Sequence, residues 1–514
     1  MQFCSKITTC TLLIFFSIYL QVVLKSSWAL PKPVISSVLD KRAPPLKTEQ
    51  FPRGVPSHMR VVDVHDNNRI SYHETNLGGG VIELGAYYSN LTLGGQEFSV
   101  IIDSGSSTLV VPMKGCTTCG DYGNFYSLEK SNYPGAHYVP CDSEACQCVT
   151  SECYFCPISR YCSENITSAC GFYIQYGSGA IYGVEIEDLL RWDNYEVPVI
   201  FGGMLHETPD FLQAPSNGIL GMAYPLLSCN PNYMPPIYSV LQQRNMLEHD
   251  MFALCLGHRK GQIMVGGVNT DLADGPIEWA PFDISNPATY YRVNLGGSIK
   301  INDEKVPLPE FDVGIVDSGT TLFIVTPRAF DVIKYYFESH FCHVKGLCSF
   351  YSWFQPNNVE INYPSTIVSS CVTLTDEEVQ ELPSITVTIG GKIDLTMTPD
   401  DYMYRAYDSQ GNVYRCLGIS TSEEGGGVQA IVGDVLLQKH LIVFDRENRQ
   451  IGIAPAHDCV DTCAPYHHSC SSCIANGCAY NFETGACASP RVLDTDSSVG
   501  WCAGFPCEFA CKTL

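Results

Sequence analysis

Short apolar runs punctuated by glycine fill the chain from Val81 onward: GVIELGAYYSNLTLGG, EFSVIID, GFYIQYGSGAIYGVEIEDLL and GQIMVGGV. Alternating apolar and polar positions closed by Gly-rich turns predict strands and hairpins, so the fold class is all-β. Helical spacing is confined to short stretches such as TPRAFDVIKYYFESHF and IYSVLQQRNML. Upstream, residues 30–80 are Pro-rich and weakly patterned, with a dibasic pair at Lys41 and Arg42. They read as a propeptide, for which a disordered linker is the alternative. Residues 1–29 hold Lys6, the apolar run ITTCTLLIFFSIYLQVVL, and small residues at Ser27 and Ala29. They read as a signal peptide, with a retained signal anchor as the alternative.

The strand pattern is written twice. FSVIIDSGSSTLVVP, residues 98–112, returns as DVGIVDSGTTLFIVTP, residues 312–327. Tyr87 and Tyr88 precede the first copy, as Tyr290 and Tyr291 precede the second. SNGILGMAYP follows the first and QAIVGDVLLQ the second. Two copies of one β-domain, each donating one carboxylate, is the economical inference. The expected organisation is a first lobe at 81–283 with a cysteine-rich insert at 116–170, a second lobe at 284–456, and a cysteine-rich tail at 457–514.

An aspartate between an apolar strand and a glycine is poorly placed for packing. In DSGS and DSGT the glycine permits a tight turn and close approach by another backbone. The Ser106 and Thr320 hydroxyls can hydrogen-bond the neighbouring carboxylates, and Ser104 and Ser318 can bridge the two turns. If the turns meet, Asp103 and Asp317 cannot both ionise, so one takes a raised pKa and the pair shares a proton. One carboxyl can then accept a proton from water while the other donates one to a peptide carbonyl.

Composition narrows the setting. Thirty Lys and Arg against 54 Asp and Glu give a net charge of −24, which argues against nucleic acid as a partner. The excess serves solubility or suits an acidic compartment. Twenty-six cysteines point to an oxidising one. No later segment has a membrane-spanning apolar length, and the C-terminal CEFACKTL carries no retention signal or lipid-anchor tail. Asn90 and Asn165 head N-glycosylation sequons.

Together these residues resemble the pepsin family of aspartic endopeptidases from Val81 to Ala456, most clearly in AIVGDVLLQKHLIVFDRENRQIGIAP. The proton-sharing carboxyl pair is itself the standing example for that family. The resemblance implies two lobes related by a pseudo-two-fold axis, with Asp103 and Asp317 as catalytic pair and a polypeptide substrate. Ser104, Ser106, Ser318 and Thr320 support the pair. Tyr176 becomes the tyrosine of a flap closing over the substrate, with Gly177, Ser178 and Gly179 at its tip. Both triplets carry serine where pepsins have threonine. Val110 stands where the family has a tryptophan that holds the flap tyrosine, which leaves Tyr176 held by another group or mobile. The resemblance also implies that Cys371 pairs with Cys416.

Nine cysteines, 116, 119, 141, 146, 148, 153, 156, 162 and 170, separate the first triplet from the flap. CTTC and CYFC have zinc-ligand spacing, but disulfides are the better reading in a secreted chain. CTTC through YVPCDSEACQC resembles the insertion of nepenthesin-type proteases and of plasmepsin V, although the membrane anchor of the latter has no counterpart here. Cys342 and Cys348 are close enough for a small-loop bridge. The tail resembles a plexin-type module over a few dozen residues; His467 and His468 there read as loop residues before metal ligands. Without Cys4 and Cys10, fifteen cysteines remain in the body and nine in the tail. Both counts are odd, so a bridge joins the two or each keeps a free thiol.

The expected protein is a monomeric aspartic endopeptidase made as a zymogen, secreted or held in a vacuole- or lysosome-like compartment, with no metal or organic cofactor. The rival is a catalytically silent peptide- or protein-binding protein on the same fold. Such proteins lose an aspartate or its neighbouring hydroxyl, and this chain keeps Asp103, Ser106, Asp317 and Thr320.

Overall fold

The computed structural model describes residues 72–456, omitting 82–84, 121–122, 144–145, 147–151, 155–165, 167, 178, 209–216, 229–233, 258–259, 284–288, 349–370, 408–412 and 423–426. Beyond these it describes Cys459 and residues 479–481, 487–488 and 501–503. The signal segment, Ser178, Asn165 and His467–His468 lie outside the described residues. Among the described residues, no helix is long and apolar enough to cross a membrane.

The architecture is all-β. A 15-stranded sheet carries the first half of the chain. Within it, Gln96–Asp103 pairs in parallel with Ile219–Gly221, which pairs antiparallel with Leu109–Pro112. The second half repeats this unit in a five-stranded sheet. There Val313–Val316 pairs in parallel with Ala430–Val432, which pairs antiparallel with Phe323–Val325. Sheets of four and three strands complete the second half, and the described tail residues form another of three.

Helices are few, and their sequences explain them. Pro327–His340 opens on Thr326, whose hydroxyl accepts from the Ala329 N–H, and has proline in its first turn. It buries Ala329, Ile333 and Phe337, a stripe spaced by four. A capping box at Thr375 and Glu378 starts the shorter helix Asp376–Gln380.

Two composition boundaries are not structural ones. HETNLGGG is too polar and glycine-rich to read as a strand, yet His73–Gly80 is inserted between Gly261–Val265 and Ala86–Leu93. Backbone pairing on both edges holds it where side chains supply little, so the change of composition at Val81 falls after the first strand. Likewise, His440–Asp445 and Gln450–Pro455 leave the second half and join the first-half sheet beside Met251–Leu256. Leu441 and Val443 of the first of these strands contribute to a buried cluster with Ala253, Cys255, Met264, Ala456 and Cys459.

The odd cysteine counts are explained in that cluster. Cys255, on a central strand, is bonded to Cys459 across 204 positions, tying tail to body. Cys371 is bonded to Cys416, Cys342 to Cys348, Cys116 to Cys119 and Cys146 to Cys170.

Because the Cys255–Cys459 bridge closes a very long loop and both sulfurs are buried, its removal should cost stability. A Cys255→Ser/Cys459→Ser variant should lose about 2–5 kcal/mol, read as a lower midpoint in non-reducing thermal unfolding. An unchanged midpoint would mean that the bridge does not anchor the fold.

Candidate active site

Each aspartate closes an apolar strand. Asp103 ends Gln96–Asp103, and Asp317 follows Val313–Val316 directly. The parallel partners place Gly221 beside Asp103 and Val432 beside Val316. Glycine is required where each unit crosses itself: a Cβ on Gly221 would meet Thr108 N at 2.3 Å, and one on Gly433 would meet Leu322 O at 2.2 Å.

The two turns are bolted together through their serines. Ser104 N–H donates to Ser318 Oγ at 3.1 Å, and Ser318 N–H donates to Ser104 Oγ at 2.9 Å. Each hydroxyl then donates to a carbonyl of the other half, Ser104 to Val316 at 3.0 Å and Ser318 to Ile102 at 2.8 Å. All four bonds are buried, so none competes with water.

This brace brings the carboxyls close enough for the charge of one to bear on the other. Each is also held by its own turn. Gly105 N–H donates to Asp103 Oδ1 and Gly319 N–H to Asp317 Oδ1, both at 2.8 Å. The Ser106 hydroxyl donates to Asp103 Oδ2, and Thr320 donates to Asp317 Oδ2 at 2.7 Å. Both aspartates are only 7% exposed. Burial, and next the neighbouring Asp317 charge, push the Asp103 carboxyl up to about 8, against the pull of the Ser106 and Gly105 bonds. A proton is therefore retained between two carboxyls at a pH where isolated ones are ionised.

Tyr176 ends the strand Ala169–Tyr176, and Gly179 opens Gly179–Trp192; the two residues face each other across the hairpin. Gly179 has φ +140°, a conformation that favours glycine, whereas a Cβ on Gly177 would meet nothing within 4 Å. Tyr176 packs against a cluster of Val110, Phe172, Ile181, Met204, Ile219 and Met234. Burial followed by the Asp103 charge raises the pKa of its phenol. Where a tryptophan is missing, the tyrosine thus rests on an apolar bed containing Val110.

Two further residues near the pair carry no role in the sequence reading. Asp434 is fully buried, and neither carboxyl oxygen has a hydrogen-bond partner among the described residues. Burial, then the charges of Asp317 and Asp103, push its pKa well up. The motif contained a clue: the position after glycine is Met222 in one copy and Asp434 in the other. Tyr290 is also raised, by burial and then by Asp317 and Asp103. Asn90, by contrast, is an exposed strand residue whose side-chain oxygen accepts from the Ser99 hydroxyl at 2.6 Å. No group of three or more His, Cys, Asp or Glu side chains able to hold a metal converges among the described residues.

Residues 86–456 match the family described as eukaryotic aspartyl protease. The chain is 26% identical over 378 residues to pepsin A of Canis lupus familiaris, covering 72% of this chain and 81% of that protein. It is 27% identical over 382 residues to gastricsin of Cavia porcellus, covering 72% and 80%. Pepsin A of Bos taurus is 25% identical over 378 residues, with 72% and 84% covered.

The glycine of each turn faces the opposite carboxyl. A Cβ on Gly319 would lie 2.2 Å from Asp103 Oδ1, and one on Gly105 2.4 Å from Asp317 Oδ2. Either alanine substitution should displace a carboxyl by enough to lower peptide hydrolysis by about a hundredfold. Turnover close to wild type in either variant would contradict the contact.

Proposed function

The chain belongs to the eukaryotic aspartyl protease family and is an aspartic endopeptidase, and we propose that Asp103 and Asp317 are the pair that performs its chemistry on extended polypeptides. The observation that carries this reading is the set of reciprocal bonds between the two turns. It holds one protonated and one ionised carboxyl together at the end of two apolar strands.

In this mechanism a water lies against the pair. The ionised carboxyl takes a proton from the water as its oxygen attacks the peptide carbonyl carbon, while the protonated carboxyl gives its proton to the carbonyl oxygen. The resulting tetrahedral diol collapses: one hydroxyl returns its proton to the ionised carboxyl, the C–N bond breaks, the nitrogen receives the proton held by the other carboxyl, and acid and amine leave. Water is the nucleophile, so no covalent intermediate forms. Tyr176 and the hairpin tip roof the substrate and exclude bulk water.

The same reading makes the protein a zymogen of the secretory pathway that acts as a monomer. The segment ahead of the first strand would cover the cleft in the precursor. Because His73–Gly80 is paired on both edges, processing belongs before Tyr72, with Lys41 and Arg42 as one entry point.

Asp103→Asn and Asp317→Asn should each lower pepstatin-sensitive hydrolysis of a peptide at about pH 5 by about a thousandfold or more, with folding retained. Near-normal turnover in either would refute the assignment. The pH profile has a defined sign. The proton on Asp103 is an acid in the reaction, so kcat/KM should fall as pH rises through about 8. Folding stability should already decline as pH rises from the ordinary carboxyl pKa towards about 8 and level off above it, because the unfolded chain releases this proton near the former and the folded chain holds it to the latter.

Terminal sequencing of the active enzyme should find a start between Ala43 and Tyr72. An active form beginning at Leu30 would exclude obligatory processing, and one beginning at Val81 would show that the first strand is dispensable.

A further inference from the structure

The insert begins with a four-residue loop, Cys116–Thr117–Thr118–Cys119, that its own disulfide closes with the Cα atoms 5.6 Å apart. It follows three residues after the strand Leu109–Pro112 that carries Val110. Its surroundings connect it to the hairpin over the carboxyl pair on two sides.

On the inner side, Cys119 is half-buried against the cluster of Val110, Phe172, Ile181, Met204, Ile219 and Met234, the same bed on which Tyr176 rests. On the outer side, Thr118 Oγ1 lies 2.8 Å from His206 Nδ1 and accepts the Glu207 N–H at 2.9 Å. Gly120 N–H donates to Glu207 Oε1 at 2.9 Å. His206 faces Tyr182 in the sheet register, with ring centroids 5.5 Å apart, and Tyr182 lies 4.9 Å from Tyr173. The Tyr173 hydroxyl donates to Gln175 Oε1 at 2.6 Å. The Gln175 amide in turn donates to the carbonyls of Tyr176 at 2.8 Å and Gly179 at 3.0 Å. The hairpin tip is thus gripped by a chain of contacts that starts at the disulfide loop.

Loss of a tryptophan leaves a hairpin over a water-excluding site without its usual support. A disulfide-closed loop is a stiff replacement, because closing four residues into a ring removes most of their backbone freedom. We propose that the Cys116–Cys119 loop, acting through Thr118 and His206 outside and Cys119 inside, is a positioning element that pre-sets the Tyr176 hairpin for peptide binding. It touches neither the carboxyls nor the scissile bond. Opening it lowers the fraction of enzyme with the hairpin in its binding position and so weakens peptide binding, leaving the chemical step nearly intact. Because the hairpin tip roofs the residues beside the cleaved bond, preference for those residues also loosens.

This inference rests on the reading of Tyr176 as the roof of the site, and the experiment separates the two. The processed full-length enzyme is assayed on a synthetic peptide and on a peptide library. The variants are Cys116→Ser/Cys119→Ser, Thr118→Val, Thr118→Ser and Tyr176→Ala. Opening the loop should raise KM about tenfold with kcat within about threefold, and broaden selection beside the cleaved bond but not at distant positions. Thr118→Val should move KM the same way, and Thr118→Ser, which restores the hydroxyl, should return it. In a Tyr176→Ala background, opening the loop should add less than about twofold, since its route to the substrate is already cut.

Wild-type KM and selectivity in the loop variants, with Tyr176→Ala impaired, would overturn the loop proposal alone. Wild-type behaviour of Tyr176→Ala would overturn the roof reading beneath it. Equal losses of kcat in the loop variants with a lowered unfolding midpoint, unrescued by Thr118→Ser, would assign the loop a merely structural role and also overturn the proposal.

Discussion

Two carboxyls come into contact inside a protein only if something else prevents them from separating. The work is done here by two serines, each giving its hydroxyl to the opposite half and receiving the opposite backbone N–H. Neither serine is satisfied by its own domain, so the brace exists only when both halves are folded and in register. Everything functional is built outward from it. The glycines sit against the opposite carboxyls because the turns interlock, and Ser106 is placed to serve Asp103.

The same constraint explains the electrostatics. A chain with net charge −24 places carboxyls at its least hydrated point. Asp103 meets that cost by holding a proton up to about 8, since an uncharged acid loses far less on leaving water than a carboxylate does. The buried Asp434 is pushed the same way by burial and by the neighbouring pair.

Much of the site was legible in the sequence because duplication turns a weak motif into a strong one. The DSG triplets, their following hydroxyls and the Gly that ends each crossing strand all recur at matching places, and the fold brings those residues together. What was missed lacked a repeated or periodic signal. His73–Gly80 has no apolar alternation, and only its pairing partners, distant in sequence, make it a strand. Asp434 was visible only as a difference between copies. The parity of the cysteine counts posed the right alternative, but no local pattern could have named Cys255 and Cys459 as the bridge. The loop at Cys116–Cys119 read as a disulfide candidate; its relation to the hairpin depends on Thr118 meeting the far end of another strand.

The return of His440–Asp445 to the strand Met251–Leu256 has a consequence for biosynthesis. Translation completes the first half long before its sheet can be finished, and at ordinary rates the missing neighbour arrives roughly ten to forty seconds later. During that interval the edge of Met251–Leu256 is open to other strands. The thiol of Cys255 waits even longer for Cys459, while cysteines of the insert are already made and able to capture it under oxidising conditions. Yield should therefore depend on how long oxidation is delayed and that edge guarded until the last part of the catalytic body emerges.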